Sequence, residues 1–133
     1  MEFDSKAYIG EYIERARKAQ AEFEKMSQEE VDLAVKAIAK VVYDNAEYLA
    51  EIAVEETGMG NVLDKIAKNK QKSKIIWNNL KGKKSRGILD TDETTGITRI
   101  AKPVGVVAAI TPCTNPIVTP MSNAMFALKC GNA

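Results

Sequence analysis

The sequence has 133 residues, 45% of them hydrophobic and 28% charged, with a formal net charge of +1 and no histidine. This is the composition of an ordinary globular domain, and the near-zero charge argues against a chain that as a whole seeks nucleic acid or a membrane surface. The lack of histidine excludes a self-contained Cys–His or Ser–His catalyst and removes the commonest metal ligand.

The first twenty residues mix charged and apolar side chains, so they do not resemble a signal peptide. No apolar run approaches the roughly 18 residues that a membrane span requires. Two cysteines without a secretory signal predict reduced thiols. We therefore expect a cytoplasmic protein without a membrane partner and without a metal cluster.

The first segment is predicted to be an amphipathic helix, because its apolar residues recur at spacings of three and four while charged residues occupy the other positions. The predicted apolar stripe consists of Ile9, Ile13, Ala16, Ala19 and Phe23.

The stretch SQEE, residues 27–30, predicts the start of a second helix. Ser27 and Glu30 have the spacing of a capping box, in which each side chain bonds the backbone amide of the other residue. The helix is expected to end at TGMG, residues 57–60, since glycine accepts the left-handed conformation that follows a helix. Its predicted buried face consists of Val31, Ala34, Val35, Ile38, Val42, Leu49 and Ala53.

A third helix is predicted from a cap at Asn61 and Asp64 to about Lys81. Residues 65–86 contain eight lysines and one arginine but no acid. This pattern allows a phosphate-binding face, for nucleic acid or a nucleotide cofactor, or a plain solvated face. The near-neutral charge of the whole chain favours the solvated face, and Trp77 is predicted to pack in the core.

Residues 87–103 change character, with two β-prone runs on either side of a polar loop that ends in Gly96. They predict a β-hairpin arm. Residues 104–110, VGVVAAI, are almost continuously apolar, which is typical of a strand buried on both faces of a parallel sheet.

The turn TPCTNP, residues 111–116, follows this strand and leads into a helix predicted over residues 117–129. Pro120 suits its first turn and Gly131 its end. Its predicted buried face is Met121, Ala124, Met125 and Leu128. In open α/β sheets ligands bind where strands end and helices begin, so the turn is the candidate site. No G-x-G-x-x-G motif is present, so the residue pattern alone does not name a dinucleotide.

Two stretches carry a resemblance to a known family: SQEEVDLAVKAIAKVVYDNAEYLAEIAVEETGMG and, more specifically, IAKPVGVVAAITPCTNPIVTPMSNAMFALKCGNA. Together they resemble the N-terminal part of the aldehyde dehydrogenase superfamily. The resemblance covers essentially the whole chain and is strongest to the CoA-acylating branch, which includes acylating succinate-semialdehyde dehydrogenases and bifunctional aldehyde–alcohol dehydrogenases.

The resemblance implies an α/β fold in three parts. Residues 1–86 are a helical lead of about three helices, residues 87–103 are the hairpin arm, and residues 104–133 are the first βα unit of a nucleotide-binding domain. Because one parallel strand cannot bury both faces alone, we expect the sheet to be truncated here or completed by another chain.

The resemblance also implies a reaction in which a family cysteine attacks an aldehyde, hydride passes to NAD or NADP, and coenzyme A releases the acyl group. The substrate is a small aldehyde, such as succinate semialdehyde or acetaldehyde, or an acyl-CoA in reverse. The full-length protein is expected to be a cytoplasmic homo-oligomer without a nucleic-acid partner. The 133 residues alone are expected to be inactive, because the family nucleophile lies in a later domain.

The resemblance assigns the nicotinamide side of the cofactor site to the turn and the residue before it. The implied lining residues are Ile110, Thr111, Pro112, Cys113, Thr114 and Asn115. Thr114 and Asn115 are both candidate donors to an oxyanion, and the sequence does not rank them. Cys113 is interpreted as a turn thiol near the cofactor, and Cys130 as a buried residue at the helix end.

Two alternatives remain open at this point. The chain could be a non-catalytic remnant that acts as an interaction module through its helices and hairpin, or a basic helical module that binds nucleic acid. Salt-dependent DNA binding would favour the second alternative over the others.

Overall fold

The computed structural model describes residues 4–133 of the chain. Its elements are, in chain order, α1 (Ser5–Phe23), α2 (Gln28–Asp44), α3 (Ala46–Thr57), α4 (Val62–Leu80), β1 (Gly87–Asp92), β2 (Ile97–Ala101) and α5 (Val118–Lys129). None of the described helices is both long enough and apolar enough to cross a bilayer.

The core lies where α2 packs against α5, with α4 covering both and α3 packed on α4. Its buried centre is formed by Val31, Val35, Ala39, Met121 and Met125. This agrees with the predicted faces of the second helix and of α5. Trp77 is half-buried and packs on the same cluster, as predicted.

The single helix predicted over residues 28–57 is wrong, because the chain breaks at Asn45 into α2 and α3. At the break, the Val41 carbonyl accepts both the Asn45 side chain at 2.8 Å and the Asn45 backbone amide at 3.1 Å. The break lets α3 turn its buried alanines toward α4, where Asn69 donates to the Ala46 carbonyl at 3.2 Å.

The predicted helix ends are confirmed. The Ser27 amide donates to the Glu30 carboxylate at 2.7 Å, and the Glu30 amide donates to the Ser27 hydroxyl at 3.2 Å, which completes the capping box. Gly58 ends α3 in the left-handed region at φ 64°. Asn61 caps α4 by accepting the Asp64 amide at 2.9 Å.

The capping box makes the stability of the chain depend on pH. Hydrogen bonds from the Ser27 amide and hydroxyl hold the pKa of Glu30 below its ordinary value of 4.5. A lowered folded-state pKa adds stability above the unfolded pKa and loses it as pH falls through the folded value. We therefore expect Glu30→Gln to have a lower melting temperature than wild type at about pH 6, and the gap to be narrower at about pH 3, below the ordinary pKa of a glutamate.

The matched control for this experiment is Glu29→Gln, which removes a carboxylate from the same first turn but leaves the capping box intact. Thermal unfolding followed by circular dichroism at both pH values measures the effect. A gap for Glu30→Gln that stays constant between the two pH values would contradict the expectation.

Helix α1 is amphipathic as predicted, but its stripe is largely uncovered. No Cα atom of α1 comes within 8 Å of another described helix or strand. Ile9 and Ile13 remain 51% and 39% exposed. The last turn attaches α1 to the rest of the chain: Phe23 packs on the core, and Gln20 donates to the Gly131 carbonyl at 3.2 Å.

The predicted hairpin forms, with β1 and β2 antiparallel and a register shift between Ile88 and Asp90. Its Cα atoms come within 8 Å of no described helix, so it is an arm, as the sequence predicted. Arg99 donates through Nε to Asp90 at 2.7 Å, and this bond holds the pKa of Asp90 below its ordinary range. The apolar side chains Ile97 and Ile100 stay more than half exposed.

Residues 104–110 are predicted to be a strand of a truncated sheet, and within the described residues they form no complete strand ladder. Val104 and Ile110 are 85% and 94% exposed, as expected for a strand whose neighbours in the sheet these residues do not supply. Ala133 donates to the Gly105 carbonyl at 3.0 Å, and Val107 donates to the Ala133 carbonyl at 2.7 Å. These slanted bonds are those of a parallel pair, and a ladder needs more neighbouring residues than this pairing supplies.

Candidate functional site

The candidate site is the turn of residues 111–116, which joins the apolar segment of residues 104–110 to α5. Backbone bonds shape it: the Asn115 amide donates to the Pro112 carbonyl at 3.4 Å, and the Thr119 amide donates to the Asn115 carbonyl at 3.3 Å. Within the turn, Pro112 and Pro116 have restricted φ angles and enclose residues 113–115. The sequence therefore fixes the backbone of Asn115 at the entrance to α5.

The six predicted site residues are consecutive in the chain, and the structure exposes the first five of them. Residues 110–114 are exposed and Asn115 is half-buried. Helix α5 has no side-chain cap at its N-terminus. In the first turn of α5 the Thr119 amide is bonded to the Asn115 carbonyl and Pro120 has no N–H, so the Val118 amide is the donor that this turn leaves for a ligand.

Lys68 on α4 is a member of the site that the sequence did not identify. Its ammonium group donates to Oδ1 of Asn115, and the two residues are 47 positions apart in the chain. A narrow crevice between α4 and the start of α5 surrounds this contact, with Asn69 and Pro116 among its lining residues. No signal in the sequence separates Lys68 from the other lysines of the same segment.

Thr114 and Asn115 differ in their surroundings. The Thr114 side chain is exposed, and within residues 4–133 no hydrogen bond reaches its hydroxyl. The side chain of Asn115 is instead held through its carbonyl oxygen by Lys68. A fixed donor serves an oxyanion better than a freely rotating one, since it needs no reorganisation during the reaction.

Both cysteines are free and exposed. For Cys113 this agrees with the prediction of a turn thiol. The predicted burial of Cys130 is wrong. The buried face of α5 repeats every four residues at Met121, Met125 and Lys129, and one further residue rotates the side chain about 100° away from that face. In the described part of the chain, no group of acidic and thiol side chains could hold a metal ion.

A polar cluster joins the N-terminal end of α2 to the C-terminal end of α5, the end opposite the turn. Lys129 is 3% exposed and donates to Asp32 at 2.5 Å. Gln28 donates to the same Asp32 oxygen at 3.0 Å, and Ser85 donates to the Lys129 carbonyl at 2.6 Å. This cluster fixes the C-terminal end of α5 and with it the direction in which α5 presents the turn.

Comparison with known proteins identifies the family and the fold of the chain. The aldehyde dehydrogenase family model matches residues 2–133. The chain is 56% identical over 121 residues to succinate-semialdehyde dehydrogenase (acetylating) of Clostridium kluyveri, covering 91% of this chain and 27% of that protein. It is 48% identical over 127 residues to sulfoacetaldehyde dehydrogenase (acylating) of Cupriavidus necator, covering 94% and 26%.

A solved structure shows the same fold. The crystal structure of an acetylating aldehyde dehydrogenase from Geobacillus thermoglucosidasius superposes with a TM-score of 0.91 at 42% identity, covering 96% of this chain and 28% of that one. This confirms the predicted fold class, although the chain spans only about a quarter of the length of these relatives. The chain belongs to the aldehyde dehydrogenase family.

Proposed function

We propose that the chain is the N-terminal part of an NAD(P)-dependent, CoA-acylating aldehyde dehydrogenase, which converts an aldehyde, coenzyme A and NAD(P) to an acyl-CoA. The observation that carries the proposal is the exposed turn of residues 111–116 at the uncapped start of α5. It occurs in a chain 56% identical to a protein named as an acetylating dehydrogenase.

The turn residues fit a nicotinamide cofactor in their chemistry. Ile110 offers an exposed apolar side chain, and residues 111–113 are exposed beside it. The uncapped end of α5 adds the Val118 amide as a donor. When bound, NAD or NADP accepts the hydride that leaves the substrate carbon. The residues of this chain would hold and orient the nicotinamide side and exclude water from it.

The same turn would stabilise the negative charge that forms on the aldehyde oxygen when a thiolate attacks the carbonyl carbon. Asn115 and Thr114 are the proposed donors. We assign the nucleophile to neither Cys113 nor Cys130, because the chain contains no histidine that could act as the base. The nucleophile would come from the part of the enzyme that these 133 residues do not include.

Exposed apolar surfaces support a homo-oligomer as part of this proposal. The hairpin arm leaves Ile88, Ile97 and Ile100 between 55% and 61% exposed. An isolated two-stranded hairpin is marginal in water, so an arm of this kind is better explained by packing on another surface of the assembled enzyme. We propose the cytoplasm as its location, in keeping with the free thiols.

A chimeric enzyme tests the proposal. In it, this chain replaces the matching segment of the Clostridium kluyveri relative. We expect the chimera to reduce NAD or NADP when supplied with succinate semialdehyde and coenzyme A, and the isolated 133-residue chain to show no turnover. The physical reason is that the isolated chain lacks the nucleophile and most of the cofactor pocket.

The assay follows absorbance of the reduced nicotinamide with and without coenzyme A. Cys113→Ala in the chimera is the control for the assigned roles, because it removes the turn thiol and should leave most of the turnover. Turnover by the isolated chain that Cys113→Ala abolishes would make Cys113 the nucleophile and overturn the assignment.

A further inference from the structure

The amide of Asn115 has two ends with opposite chemistry, and only one of them can serve an oxyanion. Its oxygen accepts hydrogen bonds, whereas its nitrogen donates two. The side chain is useful at the proposed site only if the nitrogen faces the reacting carbonyl. A neighbouring group must therefore hold the amide so that its nitrogen, and not its oxygen, faces the substrate.

Lys68 is the neighbour that contacts the oxygen end of this amide. An ammonium group has three donors and no acceptor, so it can bond only the oxygen of the amide. The contact that the structure shows is between Nζ of Lys68 and Oδ1 of Asn115. With the oxygen held on the α4 side, the amide nitrogen is directed away from Lys68. The positive charge also polarises the amide and makes its N–H groups better donors.

Both partners stand on fixed supports. The backbone of Asn115 is tied into the first turn of α5 through Thr119 at 3.3 Å. Helix α4 packs on α2, α3 and α5, and its buried Asn69, next to Lys68, is bonded to the Ala46 carbonyl at 3.2 Å. The lysine therefore reaches the turn from a rigid helix, which is the arrangement that keeps a reacting group in place.

We infer that Lys68 is a positioning residue that orients Asn115 as the oxyanion donor, and that Asn115 rather than Thr114 fills that role. This inference rests on the proposed function. It adds a residue from a helix far from the turn in sequence, and it ranks two donors that the sequence left equal.

The test is Lys68→Met in the chimeric enzyme, with Lys70→Met as the matched control. Lys70 lies on α4, is exposed, and has no described hydrogen bond or ion pair. We expect Lys68→Met to lower kcat by about 10- to 100-fold with little change in the aldehyde KM. Lys70→Met should match wild type, and Lys68→Arg should recover part of the loss.

A double variant separates positioning from a general effect on folding. Lys68→Met should cause no further loss in an Asn115→Ala background, because the two residues act as one unit. Full additivity would overturn the inference. In the 133-residue chain, the NMR signals of the Asn115 side-chain amide should shift in Lys68→Met and not in Lys70→Met, and unshifted signals would overturn it as well.

Failure of the inference differs from failure of the proposed function. An active chimera that Asn115→Ala impairs and Lys68→Met does not would overturn the positioning role and leave the function standing. A folded chimera without any turnover would overturn the proposed function. The NMR signals of the Asn115 amide would then be the remaining test of the contact with Lys68.

Discussion

Replacing Asp32 with alanine is expected to destabilise the chain by about 3 kcal/mol, the low end of the range for breaking a buried ion pair. Its partner Lys129 is 3% exposed and would keep a buried charge without a counterion. The low end applies because Asp32 itself is one quarter exposed and water screens part of the interaction. Urea unfolding of the 133-residue chain measures the change.

Two further variants show whether the loss of stability comes from the buried charge of Lys129. Asp44→Ala breaks the exposed pair with Lys40 and should cost less than about 1 kcal/mol. Lys129→Met added to Asp32→Ala should recover most of the lost stability, because it removes the unpaired charge and keeps the packing. If Asp32→Ala alone does not fold, the double variant can still be measured and compared with wild type. An Asp32→Ala chain as stable as wild type would show that the pair contributes nothing.

Replacing Asn115 with alanine in the chimeric enzyme is expected to lower kcat by about 10²- to 10³-fold, the usual cost of losing one oxyanion donor. The aldehyde KM should change little, since the bond forms mainly in the transition state. Asn115→Asp should be impaired to a similar degree, because the carboxylate keeps the Lys68 contact but cannot donate when ionised.

Thr114→Val is the comparison for this experiment, because it removes a hydroxyl of the same turn without changing the shape of the side chain much. It should lose far less activity than Asn115→Ala. Steady-state kinetics and thermal midpoints are measured on all three variants. If kcat is unchanged throughout while the midpoints fall, the turn is only a scaffold and the catalytic assignment is wrong.

Local signals in the sequence predicted the helix ends and the turn well. Ser27, Glu30 and Asn61 act through atoms within three residues of themselves, so their pattern alone defines the bond that forms. The continuous apolar run of residues 104–110 predicts a strand, but it does not predict which strands pair with it. A parallel strand needs neighbours, and these are set by the rest of the sheet rather than by the run itself.

The candidate site was predictable only in part, for the same reason. The position of Asn115 follows from the prolines and from the helix that begins after it. Lys68 is one of eight lysines in a stretch without acids, and only the packing of α4 against α5 selects it. Asn45 likewise lies inside an amphipathic pattern that continues on both sides, so the break between α2 and α3 has no strong local signal.

The separation of the hairpin arm from the helices has a consequence for how the chain opens. Elements that share few contacts unfold in separate cooperative units with different free energies. Amide hydrogens of β1 and β2 should therefore exchange with solvent by opening of the arm alone, whereas those of α2 and α5 should exchange only when their common core opens. A weaker contact between α2 and α5, for example after loss of the Asp32 carboxylate that bonds Lys129, would accelerate exchange in these helices and leave exchange in the arm unchanged.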